Sequence, residues 1–230
     1  MPHCRLSVVT ITLNEEEAVA RVIPDIKQAT GGNCEIVVVD SSTDRTPEIA
    51  RSLGARVIHQ EPRGYGIAMR EALLAAEGEI VISTDCDDTY PMEMIPDFVR
   101  GIEEGFDIVS GSRLLGQFKP VNMPASNWLA NWLFAAITQA LYGFPTTDVT
   151  TGMRAYRRQV LHSIDWETNY ALPAELLIRP LLKGFRLKEI PIPYRARVGE
   201  ITLHRWRSGK AFLRGITKYK FGWRIDPKLL

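Results

Sequence analysis

Asp85, Asp87 and Asp88 crowd three carboxylates into four positions just after the apolar run Ile80-Val81-Ile82. Like charges this close repel one another, and a hard divalent cation relieves the repulsion. Mg²⁺ takes one or two carboxylates and completes its shell with water and substrate phosphate oxygens. An Asp-rich surface turn or helix cap would account for the same residues without a metal. A second apolar run, Val37-Val38-Val39, ends in Asp40 and continues as Ser41-Ser42-Thr43-Asp44. Asp44 is placed to cap the following helix, whereas Asp40, an acid closing a wholly apolar strand, suits a hydrogen bond to a ribose or base. Gly64-Tyr65-Gly66-Ile67-Ala68 would let backbone approach a ligand at a helix start, but with Met69 where a dinucleotide fingerprint has its third glycine, a plain glycine turn accounts better for these residues on their own. Arg113, after Gly111-Ser112, and Arg154, closing the segment from Asp148, present planar donor forks that suit phosphate or plain salt bridges. His3, His59, His162 and His204 show no ligand pairing, and neither a G-x-S-x-G nor a P-loop pattern is present.

These residues sit at the ends of short β-rich runs that alternate with helical patterns, the signature of a parallel sheet with crossover helices. Strands are expected at Leu6–Thr12, Glu35–Asp40, Arg56–His59, Glu79–Thr84, Asp107–Ser110 and Leu187–Pro193. Helices are expected near Glu16–Ala29, Thr46–Leu53, Ile67–Ala76, Met92–Glu104, Ser126–Tyr142 and Ala174–Lys183, with the segment Thr150–Tyr156 unassigned. Such a sheet binds its ligand beyond the carboxyl ends of its strands, where the strand order reverses. The helix Ser126–Tyr142 is apolar apart from a stripe of Asn127, Asn131 and Thr138, which fits burial, packing against a second copy in a homodimer, or a surface that meets an acceptor lipid.

The 230 residues suit one large α/β domain, and 45% apolar and 24% charged residues are enough to form a sizeable core. With 28 Lys or Arg against 27 Asp or Glu, the chain has no overall charge that would call for nucleic acid. The basic character is local. Residues 205–230 hold eight Lys or Arg and one Asp, with Phe212, Ile216, Tyr219 and Trp223 beside Arg207, Lys210, Arg214 and Lys218 at helical spacing, the pattern of a basic amphipathic helix at a membrane interface. Cys4, Cys34 and Cys86 are odd in number and far apart, against a disulfide framework or a structural zinc site and in keeping with a reducing, cytoplasmic setting. Leu6–Leu13 reads as a strand rather than a signal peptide, and no stretch reaches about 18 uninterrupted apolar residues.

Taken in order, the motifs resemble family-two glycosyltransferases of the GT-A fold, and within them the dolichol-phosphate mannose synthase and polyprenyl-phosphate glycosyltransferase group. Thr12-Leu13-Asn14-Glu15 stands at the family's first nucleotide-contacting turn, Gly64–Ala68 at its G-x-G-x-A helix start, and Asp85-Cys86-Asp87 at its D-x-D metal motif. Gly111-Ser112-Arg113 matches the G-S-R turn, Asp148–Arg154 the D-x-T-S-G-F-R segment, and Glu189–Tyr194 with Arg197-Val198-Gly199-Glu200 the late strand and its extension. The resemblance implies a GT-A domain over 1–204, followed by the basic tail 205–230. It implies Mg²⁺ or Mn²⁺ on Asp85 and Asp87, with Thr89 where many relatives have a further ligand. Donor contacts from Leu13, Glu15, Asp40, Gly64, Gly66 and Asp85 are implied as well. Catalysis would use Asp87, phosphate-holding Arg113, Arg154 and Arg197, and Asp148 as acceptor-orienting residue or base. The implied reaction is inverting transfer of a hexose from a nucleotide diphosphate sugar (GDP-mannose or a UDP-hexose) to a polyprenyl or dolichyl phosphate, by a peripheral enzyme at the cytosolic face of a membrane or on a membrane-anchored partner. Ile201-Thr202, in place of the Ser-Lys of lipid-phosphate enzymes, keeps a soluble or glycan hydroxyl acceptor as the alternative. A nucleotidyltransferase would need a glycine-rich basic loop where Asn14-Glu15-Glu16-Glu17 stands.

Overall fold

The computed structural model describes residues 5–116, 122–196 and 205–222, without the side chains of 205–208. Its strands are β1 (Leu6–Thr12), β2 (Glu35–Asp40), β3 (Arg56–His59), β4 (Ile80–Ser83), β5 (Ile108–Ser112), β6 (Arg154–Arg157) and β7 (Leu187–Pro191). They form one sheet in the order β3-β2-β1-β4-β6-β5-β7. All neighbours pair in parallel except β6, which runs antiparallel to both β4 and β5. The helices are α1 (Glu16–Thr30), α2 (Thr46–Ser52), α3 (Tyr65–Ala75), α4 (Ile95–Glu103), α5 (Ala125–Tyr142), α6 (Arg158–His162), α7 (Leu172–Leu182) and α8 (Arg205–Phe221).

Side chains that alternate along a strand enter two cores, one on each face of the sheet. Val8, Ile36, Val38, Ile80 and Ile82 pack with Val19, Val22, Ile26 and Phe98 of α1 and α4. Val9, Val37, Val39 and Val81 pack with Met69, Leu73, Leu172 and Leu176 of α3 and α7. Each Val or Ile so buried stabilises the fold by about 1.5–3 kcal/mol relative to exposure, and the paired cores make the sheet a rigid platform for the loops at its carboxyl edge. The expected mostly parallel α/β sheet with helices on both faces is what forms. β6 escapes the sequence pattern because its four residues, Arg154-Ala155-Tyr156-Arg157, do not look like an interior strand, yet Arg154, Ala155 and Tyr156 are all buried.

The packing of two helices decides which of their faces meets the protein. On α5 two residues of the polar stripe, Asn131 and Thr138, face the protein, whereas Asn127 is exposed. Asn131, Ala135 and Thr138 are buried, while Leu129, Trp132 and Leu133 are exposed. α8, expected as a separate tail with its aromatic stripe in a membrane interface, instead lays that stripe against α5 and α7. Ile216 is buried there, and Phe212 and Tyr219 pack beside it. Aromatic area is better buried against a neighbouring apolar surface than left in water. Trp223 lies outside the described residues, and so does the side chain of Arg207.

Candidate active site

The strand order reverses at β1, whose neighbours β2 and β4 lead to opposite halves of the sheet, and an open cleft of about 280 Å³ lies at the carboxyl ends of these strands. Leu13 and Glu15 line it from the turn after β1, Ser41 from the end of β2, Gly64 and Tyr65 from the start of α3, and Asp85, Cys86 and Asp87 from the turn after β4. Tyr170 closes a further wall.

The two acids of the D-x-D turn are held in place. Asp87 is buried, and its Oδ1 accepts from the Thr89 amide at 3.1 Å and the Thr89 hydroxyl at 2.5 Å. Thr89, expected as a third metal ligand, is itself buried, does not line the cleft, and donates its hydroxyl to Asp87, whose carboxylate it orients. Asp85 accepts from the Tyr65 hydroxyl at 3.2 Å. Burial and the nearby Asp85 push the Tyr65 phenol well above its ordinary pKa, so it stays a donor. Gly152 makes room on the other side, since a Cβ there would sit 2.7 Å from Asp85 Oδ2, and its amide donates to the Tyr90 hydroxyl at 2.7 Å. Cys86, between the two acids, is buried with a thiol pKa pushed up by burial and the surrounding carboxylates, and is no nucleophile. Two hard carboxylate donors in one cleft fit Mg²⁺ or Mn²⁺ whose remaining ligands are water and diphosphate oxygens. Among the described residues no group of three His, Cys, Asp or Glu side chains could hold a metal unaided.

Asp40 lies beneath the cleft. It has no exposed surface, and its carboxylate accepts from the Thr12 hydroxyl at 2.7 Å and the Ser42 amide at 3.3 Å. The expected ribose or base contact gives way to a supporting role, because an acid buried at a strand end must be satisfied by its neighbours. Ser41 is the residue of β2's end that reaches the cleft. Asn14, in a left-handed conformation with φ 57°, joins the first two loops by accepting from the Thr43 amide at 2.9 Å.

The glycines at the start of α3 serve a contact the sequence does not reveal. Gly64 has φ 109°, and a Cβ on Gly66 would lie 2.0 Å from the Asn169 carbonyl oxygen. Asn169 Oδ1 accepts from the amides of Gly66 at 2.8 Å and Ile67 at 3.3 Å, and its Nδ2 donates to the Arg63 carbonyl at 2.9 Å. It caps the helix from about a hundred residues away in the chain, so those two amides are occupied by protein. Its loop is fixed by Glu175 of α7, a buried acid that accepts from the amides of Glu167 and Thr168 and from the Thr168 hydroxyl.

Arg113 and Asp148 form a buried two-pronged ion pair, Nε to Oδ2 at 2.7 Å and Nη2 to Oδ1 at 2.9 Å. The Arg113 amide adds a third bond to Asp148, and Arg113 Nη2 also donates to Thr150 Oγ1, whose hydroxyl donates to Asn131 of α5 at 2.9 Å. Burial alone would raise the Asp148 pKa, but the Arg113 charge and its hydrogen bonds outweigh burial and hold it below the ordinary value. A base role is therefore corrected: a carboxylate so paired has little proton affinity. Arg154 is corrected as well. It is 1% exposed, and its guanidinium donates to Ser110, to the carbonyl of Pro173 and to the carbonyl of Val149, locking the loop before β6 rather than meeting phosphate. Glu189 of β7 accepts from the hydroxyls of Thr146 and Thr147 and from the Thr147 amide, so the late strand also serves this loop. Arg197 lies outside the described residues.

The sequence model of glycosyl transferase family 2 matches residues 7–165. The chain is 50% identical over 213 residues, 93% of its length and 92% of the relative's, to the dolichyl-phosphate hexose transferase of Haloferax volcanii. It is 27% identical over 203 residues, 83% of each chain, to the undecaprenyl-phosphate mannosyltransferase of Micrococcus luteus. Among solved structures, glucosyl-3-phosphoglycerate synthase from Mycobacterium tuberculosis in complex with Mn²⁺, uridine diphosphate and phosphoglyceric acid matches with a TM-score of 0.77 at 23% identity, over 94% of this chain and 78% of that one, a likeness of fold. With a GT-A sheet, an acid pair in the cleft at its strand reversal and a family match over well more than half its length, the chain belongs to glycosyl transferase family 2 and is a glycosyltransferase.

Proposed function

We propose that the enzyme transfers a hexose, with inversion, from a nucleotide diphosphate sugar to a polyprenyl or dolichyl phosphate at a membrane surface. The observation that carries this reading is the 50% identity along nearly the whole chain to a protein named for hexose transfer to dolichyl phosphate. In this reading the nucleoside lies along the β1 and β2 ends, by Leu13, Glu15 and Ser41, and the diphosphate reaches toward Asp85 and Asp87. A Mg²⁺ or Mn²⁺ ion bound there supplies positive charge to the nucleoside diphosphate as it leaves. Thr89 and Tyr65 keep the two carboxylates aimed, so little reorganisation is needed when that charge develops.

Loss of Asp148 as a base supports the acceptor assignment. A hydroxyl acceptor needs a group to take its proton, whereas a lipid phosphate, with a second pKa of about 6, is already an anionic nucleophile at pH 7. Arg113 acts in this scheme by positioning the 146–150 loop, and Arg197, on its motif, holds the acceptor phosphate. No helix among the described residues is long and apolar enough to cross a membrane; the reading places contact with the acceptor at the membrane surface. The test is a screen of radiolabelled GDP-mannose, UDP-glucose, UDP-GlcNAc and UDP-galactose with polyprenyl phosphate and Mn²⁺ or Mg²⁺. Butanol-extractable label from one donor is the expected result. Label that enters only a water-soluble glycan would overturn the acceptor and favour the hydroxyl alternative.

A further inference from the structure

Leu129, Trp132 and Leu133 share one face of α5 at i, i+3 and i+4, and are 56%, 56% and 48% exposed. A helix on a globular protein normally turns such side chains inward. Here the inward side is already filled, by Asn131 bonded to Thr150 and through it to Arg113 and by Ala135, Phe134, Ile137 and Leu141 packed toward α7 and α8, so Leu129, Trp132 and Leu133 are left outside. The 18 residues of α5 include no charged side chain. α8 extends this surface, because Phe134 stacks on Phe212 with ring centroids 5.7 Å apart and the Tyr142 hydroxyl donates to the Ile216 carbonyl. Among the described side chains of α8, the exposed ones are Lys210, Leu213, Arg214, Lys220 and Phe221, which fall on one side of the helix, and neither helix carries an acid.

We propose that the outward faces of α5 and α8 dock the enzyme on an anionic lipid bilayer, with Leu129, Trp132, Leu133 and Leu213 entering the interface and Lys210, Arg214 and Lys220 meeting lipid phosphates. Apolar and aromatic side chains beside cations, on two helices that carry no acid of their own, have the complementarity that an anionic interface requires. A second copy of the chain fits poorly. A two-fold contact sets a patch against itself, so these cations would face one another with no acid on either helix to pair them. The inner side of α5 touches the Arg113–Asp148 loop, so docking would bring the bilayer up beside the cleft. The purpose of the face rests on the lipid-phosphate reading; its test does not.

The full chain is sedimented with vesicles of phosphatidylglycerol or of phosphatidylcholine, without donor or acceptor, at low and high salt. Binding is expected to phosphatidylglycerol alone and to weaken with salt. Trp132→Ser with Leu133→Ser should weaken it by at least about tenfold, and Lys210→Gln with Arg214→Gln by on the order of thirtyfold at low salt, with unchanged melting temperatures because all four residues are exposed. Three results would each overturn the proposal: no sedimentation of the wild-type chain with phosphatidylglycerol, equal sedimentation of both variants, or a dimer in solution that Trp132→Ser dissolves. Transfer to detergent-dispersed polyprenyl phosphate is measured in parallel. Transfer without vesicle binding sinks the docking face and leaves the acceptor reading standing, whereas vesicle binding without transfer supports the face and sinks the acceptor.

Discussion

Asp87 and Asp148 are both buried acids, and their partners give them opposite uses. Asp87 is oriented by a neutral threonine and opens onto the cleft, so its charge is available to a cation. Asp87→Asn keeps the shape and removes the charge, and turnover should fall at least about 100-fold, as when a preorganised electrostatic group is lost. Chelator should silence the wild-type enzyme, with Mn²⁺ or Mg²⁺ restoring it; undiminished turnover in chelator would remove the metal from the scheme. Asp148 spends its charge on Arg113. Asp148→Asn leaves a buried guanidinium uncompensated, a loss of about 3–5 kcal/mol, to be read from urea unfolding. A variant with wild-type unfolding free energy and a slow transfer step would return Asp148 to the role of base. These two acids look alike in the sequence, each at the start of a polar segment after an apolar one. What separates them is a neighbour 35 residues away.

At the scale of elements, the Asn169 cap shows how far a local motif can be read. The G-x-G start of α3 is visible because glycine is needed where φ is positive and where another backbone approaches. The sequence cannot say which backbone that is, and a ligand was the natural expectation. Asn169→Ala should cost about 1 kcal/mol, the usual loss for a removed helix cap, and should weaken nucleotide binding as Tyr65 loses its support. Nucleotide affinity measured by calorimetry would go unchanged if the cap were merely structural. β1, β2 and β3 were legible to the residue because their partners are consecutive and each has an apolar or β-branched centre bounded by polar residues. β6 was not, since its buried Arg154 is satisfied by the carbonyls of Val149 and of Pro173 in α7, and Arg157 by that of Ile102 in α4. α5 and α8 were legible as helices, but periodicity tells only that two faces differ. Which face meets the protein is decided by the neighbours, and for α5 Asn131 of the polar stripe meets Thr150.

The whole molecule ties its stability to pH and ligand through these same buried groups. Glu175 resembles Asp148: burial would raise its pKa, but hydrogen bonds from Thr168, Arg179 and the loop amides outweigh burial and hold it low. Both acids therefore have folded pKa values below their ordinary 3.8 and 4.5. Their contribution is complete above the unfolded values and is lost as pH falls through the folded ones, so acid unfolding should set in below about pH 4. The Asp148→Asn variant, weaker throughout, should show a shallower loss there. Ligand acts from the other direction. The cleft is walled by loops of β1 and β2 on one side and of β4 on the other, so a nucleoside diphosphate spanning it binds the folded sheet and not the unfolded chain. Binding at one hundred times the dissociation constant adds about 2.7 kcal/mol, which for a domain of this size raises Tm by about 5–10 °C. GDP or UDP with Mn²⁺ should produce that shift, and the base that produces it identifies the donor class. Chelator should remove most of it, and so should Asp87→Asn, whose own Tm without ligand should stay close to wild type or rise, since a charge held at the cleft without its cation is a cost to the fold. A nucleotide that stabilised the wild-type and Asp87→Asn proteins equally, with or without chelator, would place the diphosphate away from the acid pair.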